Sequence, residues 1–541
     1  MGKVTETLMH APQPPRNMGF VMPMFKSWVP RGLQPWIYVV TVFCVQFSSG
    51  VYLGALDNIR GTTSFMIEDL VMLLYAGLAG MAIYFPLLFR MKFRFTNQQL
   101  LIGAAVTIAV CNLITMHATS MFVLVPICFI AGMAKLQGTF ECMSNIQLWF
   151  TPKRDFGVFF PVLHIVLLTA IEGSGFLAAF IAHHFTWQMM HVYTVGTMSF
   201  VVLTQLVLCR PFCPLPQRLS LKGIDFPTGL LISALMLVVS YMLVYGDYYM
   251  WFDAFHMRVM LGITFVLLSF VLHRVYTLKE PYVELQLFKY KNVVPIIGVV
   301  AIAELLLGCE HTLEEILYST VIPLEELTKE KQFLWALPGI YIGVIVSLIW
   351  LAWKKWEVWH LVGIGFGCIL MYALLMYFRL DVNVNIEQFR LAIMFRGCAT
   401  CILAVTLMWG LETSVHDLDH FFMGLFVFNI LHMYLAGAAG YGIYTTLFSH
   451  FLNDNLSRYG SQLTLTQFDP RQLSDMMSGP FINNMMSIAI KRIYGIVIWV
   501  SGFFTLLFML LYIPYVRRNF RKIPLWPVYA IEYLSKRSGR R

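Results

Sequence analysis

Long apolar segments are the feature that most constrains this chain. An α-helix needs about 20 apolar residues to cross a bilayer, and the runs between polar breaks predict about fourteen such helices. We number them spans 1 to 14 in chain order. They cover 36–57, 68–89, 99–116, 120–149, 156–182, 187–209, 226–246, 256–276, 292–309, 333–352, 358–378, 388–410, 419–449 and 488–514. The expected fold class is therefore an all-α, polytopic membrane protein.

The composition excludes several functional classes. Hydrophobic residues make up 58% of the 541 residues and charged residues 12%, against about 45–50% apolar and about 25% charged in soluble domains. A soluble surface cannot hide that excess of apolar side chains. A soluble enzyme, a disordered chain and a nucleic-acid-binding protein are excluded, so the net charge of +9 is not a nucleic-acid signal. Most of the ten cysteines lie in apolar runs, where we expect neither a disulfide framework nor a metal site.

The positions of the Lys and Arg residues predict the orientation. With both termini in the cytoplasm, 26 of the 38 cationic residues fall on the inner side and ten on the outer side, as the positive-inside rule requires. Two polar stretches then become outer loops, the acidic 310–332 and the segment 450–487. For the second, a solvated loop is the preferred interpretation over a binding role. The N-terminal stretch lacks the apolar run of a signal peptide.

Seven short motifs occur in order along most of the chain. They are Leu56-Asp57, Lys135-Leu136-Gln137-Gly138, Phe185-Thr186-Trp187-Gln188, Asp225-Phe226-Pro227-Thr228-Gly229, Pro281-Tyr282-Val283-Glu284-Leu285, Arg396-Gly397 and Ala436-Gly437-Ala438-Ala439-Gly440. In this set the chain resembles the fourteen-span drug:proton antiporters of the major facilitator superfamily, the multidrug pumps of EmrB/QacA type.

The resemblance implies a fold and a function. The fold would be a major facilitator fold, with two six-helix bundles and two inserted central helices. The expected segments are a cytoplasmic 1–34, a bundle at 35–210, an inserted pair at 225–276, a second bundle at 290–514 and a basic cytoplasmic tail at 515–541. The expected function is proton-coupled efflux of amphipathic drugs or related small molecules across the inner (plasma) membrane, by a protein that is not an enzyme.

The same resemblance sets expectations for cofactors and partners. No cofactor or metal is expected, since the proton gradient supplies the energy. The partners would be the lipid bilayer and a small-molecule substrate, with no nucleic acid. Some members of the family work with a periplasmic adaptor and an outer-membrane channel, which are further expected partners by resemblance alone.

Two departures mark the chain as a divergent member. The family's gating loop between spans 2 and 3 keeps its basic residues here, as Arg90, Lys92 and Arg94, but lacks the expected Asp and glycines. In span 5 the antiporter signature is replaced by the segment that begins with Glu172 and ends with Gly175. Gating and proton coupling are therefore the properties that the resemblance supports least.

Ionisable side chains within the spans are candidates for transport and proton coupling, because they are costly in lipid. The set is Asp57, Lys135, Glu141, His164, Glu172, Glu304 and Arg396. Spans 4 and 5 run in opposite directions from the loop that joins them, so residues that lie equally far along the chain from this loop should lie at the same depth in the membrane. By this rule Lys135 lies at the depth of Glu172, and Glu141 lies at the depth of His164. We therefore predict a buried Lys135–Glu172 ion pair and a hydrogen-bonded, titratable Glu141–His164 pair, each of which has a purely structural alternative.

The remaining candidates carry further expectations. Asp57 is the coupling acid that the resemblance implies, unless Arg60 simply neutralises it. Lys135 and Arg396 would be equivalent cations of the two bundles, suited to an acidic or polar substrate group. Glu304 either takes part in coupling or merely faces water.

Two other functional classes stay open. One is an intramembrane enzyme, motivated by the histidines at 183, 184, 191, 416 and 420. The predicted orientation places the histidines at 416 and 420 on the opposite side of the membrane from those at 183 and 184, which argues against a shared metal site. The other class is a non-transporting or structural relative of the transporters, motivated by the altered gating loop.

Overall fold

A computed structural model describes most of the chain. It covers residues 24–48, 55–151, 155–213, 224–278, 281–380, 385–415, 417–462 and 479–510. The predicted basic tail at 515–541 and most of the N-terminal segment 1–34 lie outside these ranges.

The described residues are helical, apart from turns and one isolated bridge between Phe25 and Cys209. Thirteen helices in these ranges are long and apolar enough to cross a membrane, and the helix Gln34–Phe47, at the place of the predicted span 1, is apolar but shorter. The all-α, multi-pass class is thus confirmed.

Spans 1 to 8 have the following helical bounds. They are Gln34–Phe47 with Leu56–Thr62 (span 1), Ile67–Tyr84 with Phe85–Leu87 and Leu88–Arg94 (span 2), Asn97–His117, Met121–Phe150, Phe156–His184, Met189–Leu208, Phe226–Tyr245 and Phe255–Thr277.

Spans 9 to 14 include several irregular turns. They are Val293–Leu307 with Cys309–Ile316 and Leu317–Val321 (span 9), Glu326–Phe333 with Ala336–Leu348 and Ile349–Trp353 (span 10), Val358–Arg379, Ile386–Phe389 with Arg390–Ser414 (span 12), Leu418–Leu431 with His432–Ala439 and Gly440–Gln462 (span 13), and Gly479–Leu510. The segments Leu317–Val321, Ile349–Trp353 and His432–Ala439 are π-helical.

Side-chain caps begin several of the helices. Thr96 accepts a hydrogen bond from the backbone of Gln99 at 3.3 Å, and Gln99 accepts one from the backbone of Thr96 at 3.1 Å. This capping box starts span 3. Asp155 and Asp225 accept from backbone N–H groups at the starts of spans 5 and 7, which satisfies donors that a helix leaves free.

Three predicted loops are wrong because charged residues continue the helices. The acidic stretch 310–332 is mostly helical, since span 9 runs to Val321 and span 10 begins at Glu326. The segment 450–487 is helical up to Gln462 and again from Gly479, and 463–478 lies outside the described ranges. The basic gating segment around Lys92 is also helical. An apolar run ends at the first charged residues, whereas a helix continues where those residues are buried or paired.

The two halves of the chain repeat one packing arrangement. In the first half, span 4 packs against spans 2 and 3, and span 3 packs against span 6. In the second half, span 12 packs against spans 10 and 11, and span 11 packs against span 14. These equivalent contacts define two six-helix bundles, as the resemblance implies.

Close backbone crossings fix the register of the first bundle. A Cβ on Gly132 would lie 1.9 Å from the carbonyl oxygen of Gly77, and a Cβ on Gly80 would lie 1.9 Å from that of Phe129. Only glycine permits such an approach of spans 2 and 4.

The second bundle contains the same crossing between spans 10 and 12. A Cβ on Gly397 would lie 2.3 Å from the carbonyl oxygen of Ala336, and one on Gly339 would lie 1.8 Å from that of Met394. Positions 129 and 132 of span 4 therefore correspond to 394 and 397 of span 12.

The inserted spans 7 and 8 pack outside the two bundles. Span 7 contacts span 2 of the first bundle and span 13 of the second, whereas span 8 buries little of its surface. Arg274 of span 8 donates to Asp225 and Thr228 at 2.7 Å each and so joins the pair at its inner end. Burial raises the pKa of Asp225, but the hydrogen bonds from Thr228 and Arg274 outweigh it and hold that pKa below its usual value.

The inserted segment touches both bundles at both ends. At the predicted outer end, Tyr245 donates to Asp69 of span 2, and Trp251 donates to Thr446 of span 13 at 2.9 Å. At the inner end, the Tyr282 hydroxyl donates to the carbonyl of Ile83 in span 2 at 2.5 Å and its ring contacts Phe426 of span 13, with 6.3 Å between ring centroids. We call this segment, residues 225–290, the bridging insert.

The crossings predict which glycines the fold requires. We expect Gly132→Ala and Gly397→Ala each to destabilise the folded protein by about 1–3 kcal/mol, because the added methyl group has to push a backbone away. Thermal or denaturant unfolding of the purified protein measures this. Gly103→Ala and Gly196→Ala are the controls, since nothing lies within 4 Å of a Cβ at either position. Equal stability of all four variants would contradict the assignment.

Candidate functional site

A buried ionic network lies between the bundles and is centred on Arg396 of span 12. Its guanidinium donates to Glu314 Oε2 of span 9 at 2.7 Å and to Glu172 Oε1 of span 5 at 3.3 Å. Arg396 is 4% exposed, and the side chain of Glu314 is fully buried. One cation thus holds a carboxylate of each bundle, with the charge-assisted geometry that makes such hydrogen bonds strong.

Aromatic residues complete this network within the second bundle. The Tyr372 hydroxyl donates to Glu314 Oε1 at 2.7 Å and lies 3.1 Å from the hydroxyl of Tyr494. The guanidinium of Arg396 lies 5.7 Å from the centroid of the Phe333 ring. Glu314 therefore has both oxygens engaged, which is what a buried carboxylate requires.

The first turns of span 10 extend the network towards the predicted outer side. Lys329 is 1% exposed and lies 2.6 Å from Glu315 Oε1 of span 9. Glu330, 6% exposed, lies against span 5, where a Cβ on Gly175 would come within 2.5 Å of its Oε2. In the described part of the chain, no ion pair joins Glu330 to a cation within 4.0 Å.

Hydrogen bonds close the outer end of the contact between the bundles. Glu326 of span 10 accepts from the backbone N–H of Asp57 and from Asn58 Nδ2, at 2.6 Å each. Beside them, His183 Nδ1 at the end of span 5 lies 2.6 Å from Glu325 Oε1. We call these contacts the outer closure.

Aromatic rings close the opposite end of this contact, which is the predicted inner end. The Phe422 ring of span 13 lies 5.2 Å from Phe89 of span 2 and 6.0 Å from Phe140 of span 4. Phe421 lies 6.0 Å from Phe156 at the start of span 5. The buried network therefore lies between a polar outer contact and an apolar inner one.

Both predicted pairs between spans 4 and 5 are wrong. Glu172 pairs with Arg396 instead of Lys135, and His164 Nδ1 donates to the carbonyl of Phe160 at 2.8 Å instead of contacting Glu141. The prediction from matched depths assumed that spans 4 and 5 pack against each other because they are consecutive in the chain. Span 5 instead packs chiefly against spans 10 and 12 of the other bundle and barely touches span 4.

The predicted equivalence of Lys135 and Arg396 is wrong by one helical turn. In the register of the glycine crossings, Arg396 corresponds to Ala131 and Lys135 corresponds to Thr400. Lys135 is buried at 6% exposure, and among the described residues no carboxylate lies within 4.0 Å of its amine. Arg396, in contrast, is neutralised by its two glutamates.

Three other candidates have partners that the sequence did not indicate. Glu141 lies 3.5 Å from Lys92 and accepts from Asn145 at 3.1 Å. The proposed gating residue Lys92 thus ties span 2 to span 4. Glu304 is buried and does not face water, and its Oε2 lies 2.8 Å from His432 Nδ1 in the π-helical part of span 13.

Asp57, the coupling acid that the resemblance implies, is exposed at the outer closure. It forms no ion pair with Arg60, both residues being within the described ranges. Its backbone rather than its carboxylate makes the contact between the bundles.

Reading the sequence missed Glu314, Glu330 and the tyrosines that join them. The available signal was the four-residue spacing of Glu310 and Glu314 and of Glu326 and Glu330, which places each pair on one helix face. That signal was overlooked because the acidic stretch was interpreted as a loop.

The histidines do not form a shared site in the described structure. His420 pairs with Glu284 at 3.2 Å, while His183 belongs to the outer closure. No group of three metal-ligating side chains is present among the described residues, and His416 lies outside them.

Solved transporter structures share this arrangement of helices. A point mutant of the nucleoside transporter NupG is 12% identical, with a TM-score of 0.53, over 89% of this chain and 99% of its own. The human organic anion transporter MFSD10 (TETRAN) is 11% identical, with a TM-score of 0.53, over 89% and 100%. PepTSo2 is 11% identical, with a TM-score of 0.51, over 90% and 99%.

This chain has the major facilitator fold. Identities of 11–12% support the fold and nothing finer. No model of a protein family matches the sequence, and no curated protein matches it either.

The Arg396 network predicts a large cost for removing its cation. We expect Arg396→Gln to lower the free energy of unfolding by about 3–5 kcal/mol, because the fully buried carboxylate of Glu314 and the partly buried carboxylate of Glu172 lose their counter-ion. Arg390→Gln on the same helix is the matched control, since its pair with Glu387 is largely exposed and contributes at most about 1 kcal/mol. Denaturant unfolding in detergent compares the two. Similar losses would contradict the central role of Arg396.

Proposed function

We propose that this protein is a proton-coupled secondary transporter that works by alternating access. The observation that carries the proposal is the buried ionic network at the contact between the bundles, with Glu172 from one bundle and Glu314, Glu330 and Arg396 from the other. Ionisable groups this deep in a membrane protein are costly, and they are characteristic of ion and substrate pathways.

The two closures suit alternating access. The outer closure consists of a few hydrogen bonds to Glu326 and a contact of His183, and the inner closure consists of ring contacts. Neither contains backbone pairing or a covalent link between the bundles. Each can therefore open while the other stays shut, as a rigid-body rocking of two bundles requires.

Glu330 is the proposed proton carrier. Among the described residues of the network, carboxyl groups outnumber cations, with Glu172, Glu314, Glu315 and Glu330 against Lys329 and Arg396. A buried carboxyl group without a cation is most stable when it holds a proton. Parting of spans 5 and 10 would expose Glu330 to water on the outer side, where it would release that proton.

The substrate and direction that we propose come from the sequence resemblance. They are amphipathic drugs or related small molecules, exported in exchange for protons, as in the EmrB/QacA type of antiporter. An inner-membrane location with both termini in the cytoplasm belongs to the same proposal and is supported by the distribution of cations.

Proteoliposomes test the proton coupling. We expect an imposed pH gradient to drive uptake of at least one dye from a panel of ethidium, rhodamine 123 and fluorescein. Glu330→Gln should keep dye exchange at equal pH but lose at least tenfold of the gradient-driven uptake, because its side chain cannot exchange a proton.

The matched control for this experiment is Glu387→Gln, an exposed glutamate outside the network. It should behave as the unchanged protein does. If gradient-driven uptake survives Glu330→Gln, Glu330 is not the proton carrier. If the unchanged, folded protein transports none of the dyes, the proposed transport function is wrong.

A second candidate function is a non-transporting membrane protein with this fold. The observation in its favour is the bridging insert, which contacts both span 2 and span 13 at each of its ends. At one end these contacts are Tyr245–Asp69 and Trp251–Thr446, and at the other end Tyr282 contacts both Ile83 and Phe426. On that side of the molecule the bundles cannot part without breaking these contacts. Movement would then have to occur at spans 5 and 10.

A reversible cross-link separates the two candidates. We expect the double variant His183→Cys with Glu325→Cys to be joined across the outer closure by a short, reducible bis-methanethiosulfonate cross-linker, because the tips of the native side chains lie 2.6 Å apart and the shorter cysteines leave a gap that the reagent fills. The cross-linked protein should lose dye transport and regain it on reduction. A control pair, Glu387→Cys with Arg390→Cys, lies within one span and should have no such effect. Transport that is unaffected by the first cross-link would exclude movement at this contact.

A further inference from the structure

Lys135 is a buried cation without a counter-ion in the described structure. Its side chain is 6% exposed, and no carboxylate of the described residues comes within 4.0 Å of the amine. The two other fully buried cationic side chains of these ranges are paired, Lys329 with Glu315 at 2.6 Å and Arg396 with Glu314 at 2.7 Å. Lys135 is thus the exception among them.

An uncompensated charge in a low-dielectric interior is unfavourable, and removing one partner of a buried pair is destabilising for the same reason. A buried lysine that only stabilised the fold would be expected to have a carboxylate beside it. Its absence indicates that the compensating anion is not part of this chain's described structure.

The neighbours of Lys135 show which face of span 4 it occupies. One turn further along the same face, Thr139 accepts a hydrogen bond from Gln46 of span 1 at 2.7 Å. On the adjacent face, Leu136 packs with Tyr84 and Leu88 of span 2. Lys135 therefore lies on the side of span 4 that spans 1 and 2 flank, which faces the interior and not the lipid.

The residues that flank Lys135 in span 4 belong to apolar clusters. Ala134 packs with Val45 and Ala105, and Leu136 packs with Tyr84. The Gln46–Thr139 hydrogen bond is a polar contact one turn away on the face of Lys135 itself. A ligand that binds here has to supply one negative charge and a surface that suits these largely apolar neighbours. The acidic network around Arg396 cannot serve such a ligand, because its cations already have carboxylate partners.

We infer that Lys135 binds the carboxylate of an amphipathic organic anion. This inference rests on the proposed transporter function and specifies its substrate class. The charged amine would pair with the carboxylate, and the apolar part of the molecule would lie against the interior side of span 4 that spans 1 and 2 flank. Binding would supply the counter-ion that the unliganded chain lacks.

Binding to the purified full-length chain tests this inference without any transport. The probes are benzoate, 2-naphthoate, 9-anthracenecarboxylate and 1-pyrenebutyrate, each compared with its neutral amide of the same shape. Thermal stabilisation of the detergent-solubilised protein reports binding. We expect at least one carboxylate to bind the unchanged protein at least tenfold more tightly than its amide.

Substitutions then assign the preference to Lys135. Lys135→Gln should remove the tenfold preference for the carboxylate, and Lys135→Arg should retain most of it. Lys354→Gln, which removes an exposed cation near the end of span 10, is the control and should leave binding unchanged. If Lys135→Gln does not fold, the absence of a carboxylate preference in the unchanged protein still overturns the inference, and retention of the preference in Lys135→Arg supports it.

Two results would overturn the inference. One is the absence of any carboxylate preference across the series in the unchanged protein, and the other is a preference that survives Lys135→Gln. Failure of the proposed function is separately visible. If the protein binds carboxylates through Lys135 but shows no gradient-driven dye uptake, the binding site is supported and the proposed transport function is overturned.

Discussion

The ion pairs of Arg396 join the two bundles at a depth where water cannot compensate an unpaired charge. Its guanidinium donates to Glu172 of the first bundle and Glu314 of the second, and Tyr372 occupies the remaining oxygen of Glu314. Because each charged group would be costly alone, these side chains have to stay together while the site is buried. The contacts around them follow from this constraint. Span 5 packs across the interface against spans 10 and 12, and Glu330 is brought against Gly175.

The closures on either side of this network differ in chemistry. The outer one uses carboxylate hydrogen bonds of Glu326, which depend on the charge of that group, whereas the inner one uses phenylalanine rings around Phe422. A change in protonation would therefore act on the outer closure and leave the inner one unaffected. The bridging insert adds an asymmetry of another kind, since it ties span 2 to span 13 at both ends. On the side of spans 5 and 10 no inserted segment joins the bundles in the described structure, and they contact each other directly through the ionic network and the outer closure.

Much of the fold could be predicted from the sequence, and little of the site. The apolar runs located all the spans, and Asp225 and Thr96 begin helices for local reasons that a sequence displays. Arg396 and Glu172 were recognised as candidates because charges are rare within spans, but the partner assigned to Glu172 was wrong. Glu314 and Glu330 were assigned to a loop, because a helix predicted from an apolar run ends at the first charged residues, even where those residues are buried inside the protein. His432 was overlooked, although it lies 2.8 Å from a recognised candidate, Glu304.

The sequence by itself determined that the chain spans a membrane many times as helices, since 58% apolar residues in runs of this length have no other stable arrangement. The glycines at the close crossings, such as Gly80, Gly132 and Gly397, permit a backbone approach that any side chain would block, but the helices that cross there follow only from the packing. Only the tertiary structure decided which charges meet. Pairing depends on which spans become neighbours, and span 5 leaves its sequence neighbour, span 4, for the opposite bundle. As a result, Glu172 pairs with Arg396, and Lys135 has no carboxylate beside it among the described residues. A buried charge can be compensated only by groups that the packing brings within a few ångströms.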